Sequence, residues 1–170
     1  MVMELKDGSL RQYLNNNFIS MDWKEKLNRL WCIASGLKNI HNQGLIHRDF
    51  HCGNILSRFS NIGSSFITDL GLCQPVNVKS SQNSNKKIYG VLPYVAPEVL
   101  KGKEYTQASD IYGFEIIAYE ICTGFPPYYD IAHDEFLAMK IYPLKRPNAD
   151  ELDEKMKKLI KSHLQQFNYH

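Results

Sequence analysis

The sequence predicts an α+β fold that is mainly α-helical. Two long segments are patterned as helices: one, from Trp23 to His41, is amphipathic, and the other, 107–124, is apolar on nearly every side, as in a helix buried inside a domain. Between them lie three short β-like segments, 45–47, 54–59 and 65–70, each bounded by Gly, Asn or Ser. A chain of 170 residues, of which 44% are hydrophobic and 22% charged, is long enough for one domain with its own core.

Local signals place the elements of the first half of the chain. Ser9 is a favourable N-cap for a short helix that carries Leu10, Tyr13 and Leu14. Gly44 follows the long amphipathic helix and is expected to end it. Apolar residues recur along that helix at intervals of three and four and are predicted to face the core: Leu27, Leu30, Trp31, Ala34, Leu37 and Ile40.

The second half contains further helices and one polar segment. Residues 77–87 are so polar that they are predicted to form a loop. Gly124 and the proline pair after it end the buried helix. Helices are also predicted for 134–141 and 151–167. The second is interpreted as a helix that closes the domain, since acidic residues dilute the lysine charge that a membrane-binding or calmodulin-binding helix would need.

Composition excludes some function classes. The formal net charge of +2 gives no electrostatic reason to expect nucleic acid or a membrane as the main partner. The four cysteines are scattered without a C-x-x-C pair, which favours reduced thiols over a disulfide framework or a zinc ribbon. The first residues include a glutamate and no long apolar run, so neither a signal peptide nor a membrane span is expected. These features predict a protein that stays in the cytoplasm or nucleus, and the cytoplasm is the expected location.

The segment HRDFHCGNIL, residues 47–56, concentrates polar groups in one loop that contains a glycine. Asp49 and Asn54 lie five residues apart on this loop, and Asp69 stands at the end of the next predicted strand. Carboxylate and amide oxygens suit Mg²⁺, which takes few protein ligands alongside substrate phosphates. An acid near an attacking hydroxyl, together with two oxygen ligands for a metal, is the layout that phosphoryl transfer needs.

The histidines and aromatic residues also have possible structural or metal-binding roles. His47, His51 and Cys52 could form a zinc site by residue type, but one loop supplies them and no fourth ligand is placed. His47 is therefore interpreted as packed. His41, on the stripe of the amphipathic helix, and Trp31 are both interpreted as core residues.

Three short motifs follow one another along the chain. Residues 47–49 with Asn54 match H-R-D-L-x-x-x-N, residues 69–71 match D-F-G, and residues 96–98 match A-P-E. In this order the motifs resemble the catalytic lobe of the eukaryotic protein kinases. The resemblance runs from residue 1 to about residue 147, and it is strongest to the tyrosine-kinase-like group of serine/threonine kinases.

The resemblance implies a protein-kinase-like fold consisting of the C-terminal lobe only, with short β-hairpins around the catalytic loop. The N-terminal lobe is expected to be absent, because the chain contains no G-x-G-x-x-G loop, no V-A-I-K lysine and no partner glutamate helix. The whole chain, 1–170, is then a kinase domain fragment. Its expected parts are a hinge at 1–8, a catalytic loop at 47–54, an activation segment at 69–98, a central helix at 108–122 and a closing helix at 150–170.

The resemblance also implies catalytic and metal-binding roles. Asp49 would orient the substrate hydroxyl and take its proton, while Asn54 and Asp69 would hold Mg²⁺. Arg48 would bind a phosphate on the activation segment. The candidates for that phosphate are Ser80, Ser81, Ser84 and Tyr89.

A nucleotide site is implied at the hinge. Met3 would lie beside the adenine of ATP, the backbone from Glu4 to Lys6 would meet its edge, and Leu56 would form the floor under the ring. Asp110, on the central helix, is expected to anchor the catalytic loop.

The chain departs from the family pattern near Asp49. The family usually has Lys two residues after this acid, or Arg four after it, to touch the transferred phosphate; here His51 and Gly53 stand there, and His51 becomes a catalytic candidate. Val91 replaces a threonine whose hydroxyl would brace the acid. Glu115 stands where the family has Gly.

The predicted function is transfer of the ATP γ-phosphate to serine or threonine of protein substrates, in signal transduction, with the fragment inactive by itself. The alternatives are a pseudokinase that acts as a protein-binding module, which the departures favour, and a truncated gene product. A protein substrate is the expected partner. The lone lobe is also expected to associate through the apolar surface around 1–5 and Leu56 that the missing lobe would cover.

Overall fold

The structure is a computed structural model that describes residues 8–58, 64–76, 88–126, 149–151, 153–154 and 157–158. Within these ranges the α-helices are α1 (Leu10–Asn17), α2 (Trp23–Asn42), α3 (Pro97–Leu100) and α4 (Gln107–Thr123). The strands are β1 (Gly8–Ser9), β2 (Leu45–Ile46), β3 (Ile55–Ser57), β4 (Ser65–Ile67) and β5 (Gln74–Pro75). Short 3₁₀ helices span Phe18–Ser20, Cys52–Asn54, Leu70–Leu72 and Leu92–Tyr94. The described residues from 149 to 158 are also helical.

The fold is helix-rich with small sheets, as predicted. The main core lies where α1, α2 and α4 meet, and its side chains come from all three helices. A second, smaller cluster joins α4 to the segment around α3. Fully buried aliphatic residues of the main core include Leu10, Leu14, Ile33, Leu37, Ile55, Ile111, Ile117 and Ile121.

Helix α1 begins where the sequence predicts. The Ser9 Oγ accepts a hydrogen bond from the Gln12 N–H at 3.3 Å, and the Gln12 Oε1 accepts one from the Ser9 N–H at 2.9 Å. This reciprocal capping box satisfies two backbone donors that the start of a helix leaves unpaired. Leu10, Tyr13 and Leu14 are buried, as predicted.

Helix α2 confirms the predicted helix but corrects its core face. Trp31, predicted to be a core residue, is 37% exposed. Two basic residues lie on the buried face instead: Arg29 is 1% exposed, and Lys26 is 9% exposed. The Arg29 guanidinium pairs with Glu25 at 2.8 Å and lies 3.8 Å from the centre of the Tyr13 ring. Because these partners satisfy the charge of Arg29, the core-facing side of α2 includes basic residues at positions that the hydrophobic pattern predicts to face solvent.

The strands hold the polar loop between them. Strands β3 and β4 form an antiparallel hairpin in which Ile55 faces Ile67 and Leu56 faces Phe66, and β1 pairs with the other edge of β3. Strand β2 pairs antiparallel with β5. The chain leaves β2 at residue 46 and enters β3 at residue 55, so the two small sheets fix both ends of the loop 47–54.

Helix α4 is the predicted buried helix. It spans Gln107–Thr123, one residue longer at each end than the 108–122 predicted for the central helix, because Thr106 forms a capping box with Ser109. It ends at Gly124, whose φ of 82° lies in the left-handed region that glycine adopts without strain. Gly113 lies against the loop: a Cβ built on it would come within 2.6 Å of the Phe50 carbonyl oxygen.

We expect Gly113→Ala to lower the free energy of unfolding by about 1–3 kcal/mol, because the added methyl group would push against backbone that cannot turn away. Gly36→Ala is the matched control. It also lies inside a helix, but its Cβ would meet only the end of the Ile67 side chain at 2.9 Å, which can rotate. Urea denaturation measures both variants. Equal stability of the two would contradict the close packing of α4 on the loop.

Several predictions fall outside the described residues. These are most of the hinge, including Met3, Glu4 and Lys6, the loop 77–87 with its three serines, the helix at 134–141, and most of the closing helix. No helix in the described part of the chain is both long and apolar enough to cross a membrane.

Candidate active site

Asp110 anchors the loop from α4, as predicted. Its carboxylate is buried, with the residue 2% exposed. Oδ2 accepts a hydrogen bond from the His47 backbone N–H at 2.8 Å, and Oδ1 accepts one from the Arg48 N–H at 2.9 Å. The His41 Nε2 lies 2.9 Å from Oδ2, so this histidine is a satisfied core residue, also as predicted. One side chain therefore ties together α2, α4 and the start of the loop.

Two residues of the predicted site have left-handed backbone conformations. Arg48 has a φ of 72°, and Asp69 has a φ of 56°. Such conformations are uncommon for residues other than glycine and persist where surrounding contacts hold them. At Arg48 the holding contacts are the two hydrogen bonds from the backbone to Asp110.

Asp49 and Asn54 are in direct contact. The Asn54 Nδ2 donates to the Asp49 carboxylate Oδ2 at 3.0 Å and to the Asp49 backbone carbonyl at 2.9 Å. These bonds close the loop into a ring of six residues and orient the Asp49 side chain.

Asp69 is brought to Asn54 by the hairpin of β3 and β4. The Thr68 N–H donates to the Asn54 carbonyl at 2.9 Å, and the Thr68 hydroxyl donates to the same oxygen at 3.1 Å. Asp69 is the next residue, so both candidate metal ligands lie at the same end of the hairpin.

The donor set fits a hard cation such as Mg²⁺. The Asn54 amide uses its Nδ2 on Asp49, which leaves its oxygen for another partner. The Asp69 carboxylate does not cap the short helix that follows it. One amide oxygen and one carboxylate match the few protein oxygens that Mg²⁺ takes.

His51 faces Asp49 across the loop. Its Nδ1 accepts a hydrogen bond from the Gly53 N–H at 3.0 Å, and its Nε2 lies 3.3 Å from the Asp49 Oδ1. Burial lowers the pKa of the imidazole, and the Asp49 carboxylate offsets part of that change. Because Nδ1 acts as an acceptor, the proton of the neutral ring is on Nε2 and faces the carboxylate.

Arg48 lies between two tyrosine rings. The centre of its guanidinium is 5.0 Å from the ring centroids of both Tyr89 and Tyr105, within the range of cation–π attraction. The Tyr105 hydroxyl accepts from the Tyr89 N–H and donates to the Tyr89 carbonyl, which fixes the backbone there. Among the four phosphate candidates, Tyr89 is the one within the described residues.

A buried polar cluster behind His51 was missed at the sequence level. The Tyr94 ring lies 5.7 Å from the His51 ring, and the Arg11 guanidinium donates to the Tyr94 hydroxyl at 2.8 Å. The fully buried Glu120 carboxylate contacts both Arg11 and Tyr94. Burial is the main cause of the raised pKa of the Tyr94 hydroxyl. A glutamate inside an apolar helix was the available signal, since a buried charge needs a partner.

The three residues of the possible zinc site have separate partners. The His47 ring is fully buried, donates from Nε2 to the Thr68 carbonyl at 3.0 Å and packs edge-on against Phe50. Cys52 is fully buried, and burial raises the pKa of its thiol to about 12. In the described part of the chain, no group of three or more His, Cys, Asp or Glu side chains could hold a metal ion.

Leu56 and Ile55 lie on opposite faces of β3. Ile55 is fully buried in the main core, whereas Leu56 is half-buried on the other face, opposite Phe66, which is 44% exposed. Ile55 therefore roots the loop in the core, and Leu56 does not, because side chains alternate along a strand.

The helix-rich fold with its small sheets is that of a protein-kinase-like domain. Residues 1–168 match the sequence model of the family described as protein tyrosine and serine/threonine kinase, and the chain belongs to that family. The match continues past residue 147, where the resemblance recognised in the sequence stopped, and covers the predicted closing helix as far as residue 168.

The similar curated proteins are serine/threonine kinases. The chain is 32% identical over 131 residues to the probable serine/threonine-protein kinase gdt4 of Dictyostelium discoideum. It is 38% identical over 128 residues to serine/threonine-protein kinase pakA of Talaromyces marneffei and 37% identical over 133 residues to serine/threonine-protein kinase ste20 of Emericella nidulans. Each match covers 75% of this chain but only 8%, 19% and 14% of the respective relatives.

Proposed function

We propose that this chain is the catalytic part of a protein kinase that transfers the γ-phosphate of ATP to serine or threonine hydroxyls of a protein substrate. The observation that carries this proposal is the contact between the Asp49 carboxylate and the Asn54 amide, in a loop anchored by Asp110. Family membership and the serine/threonine kinases among the relatives support it.

Asp49 is the proposed base. The substrate hydroxyl oxygen forms a bond to the γ-phosphorus, the bond from that phosphorus to the bridging oxygen breaks, and ADP leaves with the electron pair. The hydroxyl proton passes to the Asp49 carboxylate. Asn54, by donating to one oxygen of that carboxylate, orients it toward the substrate.

Asn54 and Asp69 are the proposed ligands of Mg²⁺. When bound, the metal offsets the charge of the nucleotide phosphates. Arg48 is proposed to order the activation segment, 69–98, through the aromatic residues beside it and through a phosphate when one is present.

The nucleotide is proposed to bind between the hinge, 1–8, and the sheet of β3 and β4. Met3, Glu4 and Lys6 would line the adenine site, and the half-buried face of Leu56 would form its floor. The proposed hinge, catalytic loop, activation segment and closing helix have the boundaries predicted above, and the central helix is α4 (Gln107–Thr123). Apolar groups around Leu56 also suit association with another lobe or a second molecule.

A pseudokinase is the second candidate. It is favoured by the departures around Asp49, where His51, Gly53 and Val91 remove the usual phosphate contacts and a bracing hydroxyl. In either case we place the protein in cytoplasmic signal transduction.

The proposal is tested by phosphotransfer from labelled ATP with the complete gene product, followed by phosphoamino-acid analysis. We expect label on serine and threonine. The 170-residue chain alone is expected to transfer none and to bind Mg·ATP more weakly than micromolar in calorimetry, since it contains no glycine-rich loop and no strand lysine to hold the phosphates.

Label on tyrosine alone would overturn the serine/threonine assignment. A complete product that binds nucleotide or partners but transfers nothing would support the pseudokinase. Micromolar affinity of the 170-residue chain would contradict the expected dependence on a second lobe.

A further inference from the structure

The two oxygens of the Asp49 carboxylate have different surroundings. Oδ2 accepts the hydrogen bond from Asn54, whereas Oδ1 is buried and has no well-aligned hydrogen-bond donor among the described residues. The group that faces Oδ1 is the His51 Nε2, at 3.3 Å. Contacts of catalytic groups are often long without substrate and tighten when it binds.

The His51 ring is held in the orientation that points Nε2 at Asp49. Its Nδ1 accepts from the Gly53 N–H, and its ring packs against Tyr94. A Cβ built on Gly53 would come within 2.7 Å of the His51 Cε1 and 2.8 Å of its Nδ1. A side chain at position 53 would therefore crowd the ring. The histidine at position 51, in this orientation, thus requires the glycine at position 53.

Gly90, which lies next to the Asp49 Oδ1, and its neighbour Val91 supply no donor side chain. Gly90, with a φ of 99°, approaches so closely that its Cβ would lie 3.4 Å from the Asp49 Oδ1. Val91 follows it with an apolar side chain that is 43% exposed. This is the position at which the family resemblance implies a bracing hydroxyl.

We propose that His51 is a positioning residue that takes the place of the missing hydroxyl at position 91, with its Nε2–H holding Oδ1 of Asp49 and Gly53 making room for its ring. Asp49 is then held from both sides, by Asn54 on Oδ2 and by His51 on Oδ1. The catalytic part of this inference rests on the proposed kinase function. In this role His51 does not substitute for the phosphate-binding lysine of the family, because its polar edge faces the carboxylate.

The contact itself is tested without any activity measurement. In the 15N-labelled 170-residue chain, the side-chain nitrogen resonances of His51 are identified by their loss in His51→Gln. We expect protonated Nε2 and unprotonated Nδ1, and we expect Asp49→Asn to shift the Nε2 resonance. Asp22→Asn, which changes the exposed carboxylate that caps the start of α2, should not shift it. A proton on Nδ1, or no response to Asp49→Asn, would overturn the proposal.

The positioning role is tested by a double-mutant cycle in the complete gene product. We expect His51→Ala to lower kcat roughly 10- to 100-fold with little change in KM for ATP, as for a misplaced catalytic group. Val91→Thr should restore most of that loss in the His51→Ala background and change the wild type by less than about twofold. His51→Gln, whose amide can donate to the same oxygen, should retain more activity than His51→Ala.

The two arms separate the possible failures. Independent effects of the substitutions at 51 and 91 would overturn the compensation. If His51→Lys were as active as the wild type, and Val91→Thr did not restore activity to His51→Ala, position 51 would have a phosphate-binding role instead. If the wild type transfers no phosphate, the proposed function and the positioning role both fail, while the nitrogen resonances still decide whether His51 contacts Asp49.

Discussion

Replacing Asp49 by Asn is expected to lower phosphotransfer by the complete gene product by about 10²- to 10⁴-fold, the contribution typical of a general base. Asparagine has almost the same shape but cannot take the proton of the substrate hydroxyl. The amide nitrogen of the new side chain would also face another hydrogen-bond donor, either the Asn54 Nδ2 or the His51 Nε2, where the carboxylate presents an acceptor oxygen. The carboxylate would thus be lost both as a base and as an acceptor.

Steady-state kinetics with ATP and a protein substrate measure this effect. The midpoint temperature of thermal unfolding of the same variant should stay within a few degrees of that of the wild type. Asp49 lies in the loop and contributes no side chain to the main core. Asp22→Asn serves as the control for an aspartate remote from the site. Activity retained within tenfold would remove Asp49 from its proposed role.

Asp110→Ala is expected to lower the free energy of unfolding by about 3–5 kcal/mol, the range measured when one partner of a buried charged contact is removed. The substitution leaves the His47 and Arg48 backbone N–H groups and the His41 ring without their acceptor in a buried region. It also releases the left-handed backbone of Arg48. Such a loss is a large fraction of the stability of an ordinary domain.

Chemical denaturation of the 170-residue chain measures this change. Asp22→Ala is the matched control, since the Asp22 carboxylate also accepts from a backbone N–H, that of Glu25 at 2.7 Å, but is exposed. Loss of that cap should cost about 1 kcal/mol. Asp110→Asn should fall between the two, because it keeps one acceptor oxygen. Equal costs for Asp110→Ala and Asp22→Ala would show that Asp110 does not anchor the loop.

Much of the fold could be predicted because its signals are local. Ser9 caps α1, Gly44 follows α2 and Gly124 ends α4, and each depends on the conformational preference of one residue and its neighbours. The buried helix around Asp110 was recognisable from an apolar pattern with few charges. The motif order then indicated the family, which the match over residues 1–168 confirms.

The burial of α2 was predicted less well. Trp31 has apolar surface but lies at the margin of the buried stripe, while Arg29 and Lys26 lie within it. Arg29 is buried because Glu25 and the Tyr13 ring satisfy its charge, and Lys26 because its ammonium lies over the Phe18 ring and donates to the Cys122 carbonyl. These partners are the neighbouring Glu25, two aromatic rings and a backbone carbonyl from other segments, and hydrophobic periodicity contains no information about them.

The order of residues by itself determined the helices α1, α2 and α4, the cap at Ser9, the glycines that follow α2 and α4, and the three motifs, since each of these depends on neighbours along the chain. Only the tertiary structure decided that His51 points at Asp49, that Gly53 admits its ring, and that Arg48 lies between Tyr89 and Tyr105. The first two contacts depend on how the loop 47–54 folds back on itself, and the third joins groups from separate segments of the chain. All three follow from how α4 and the small sheets pack around the loop, which no single stretch of sequence encodes.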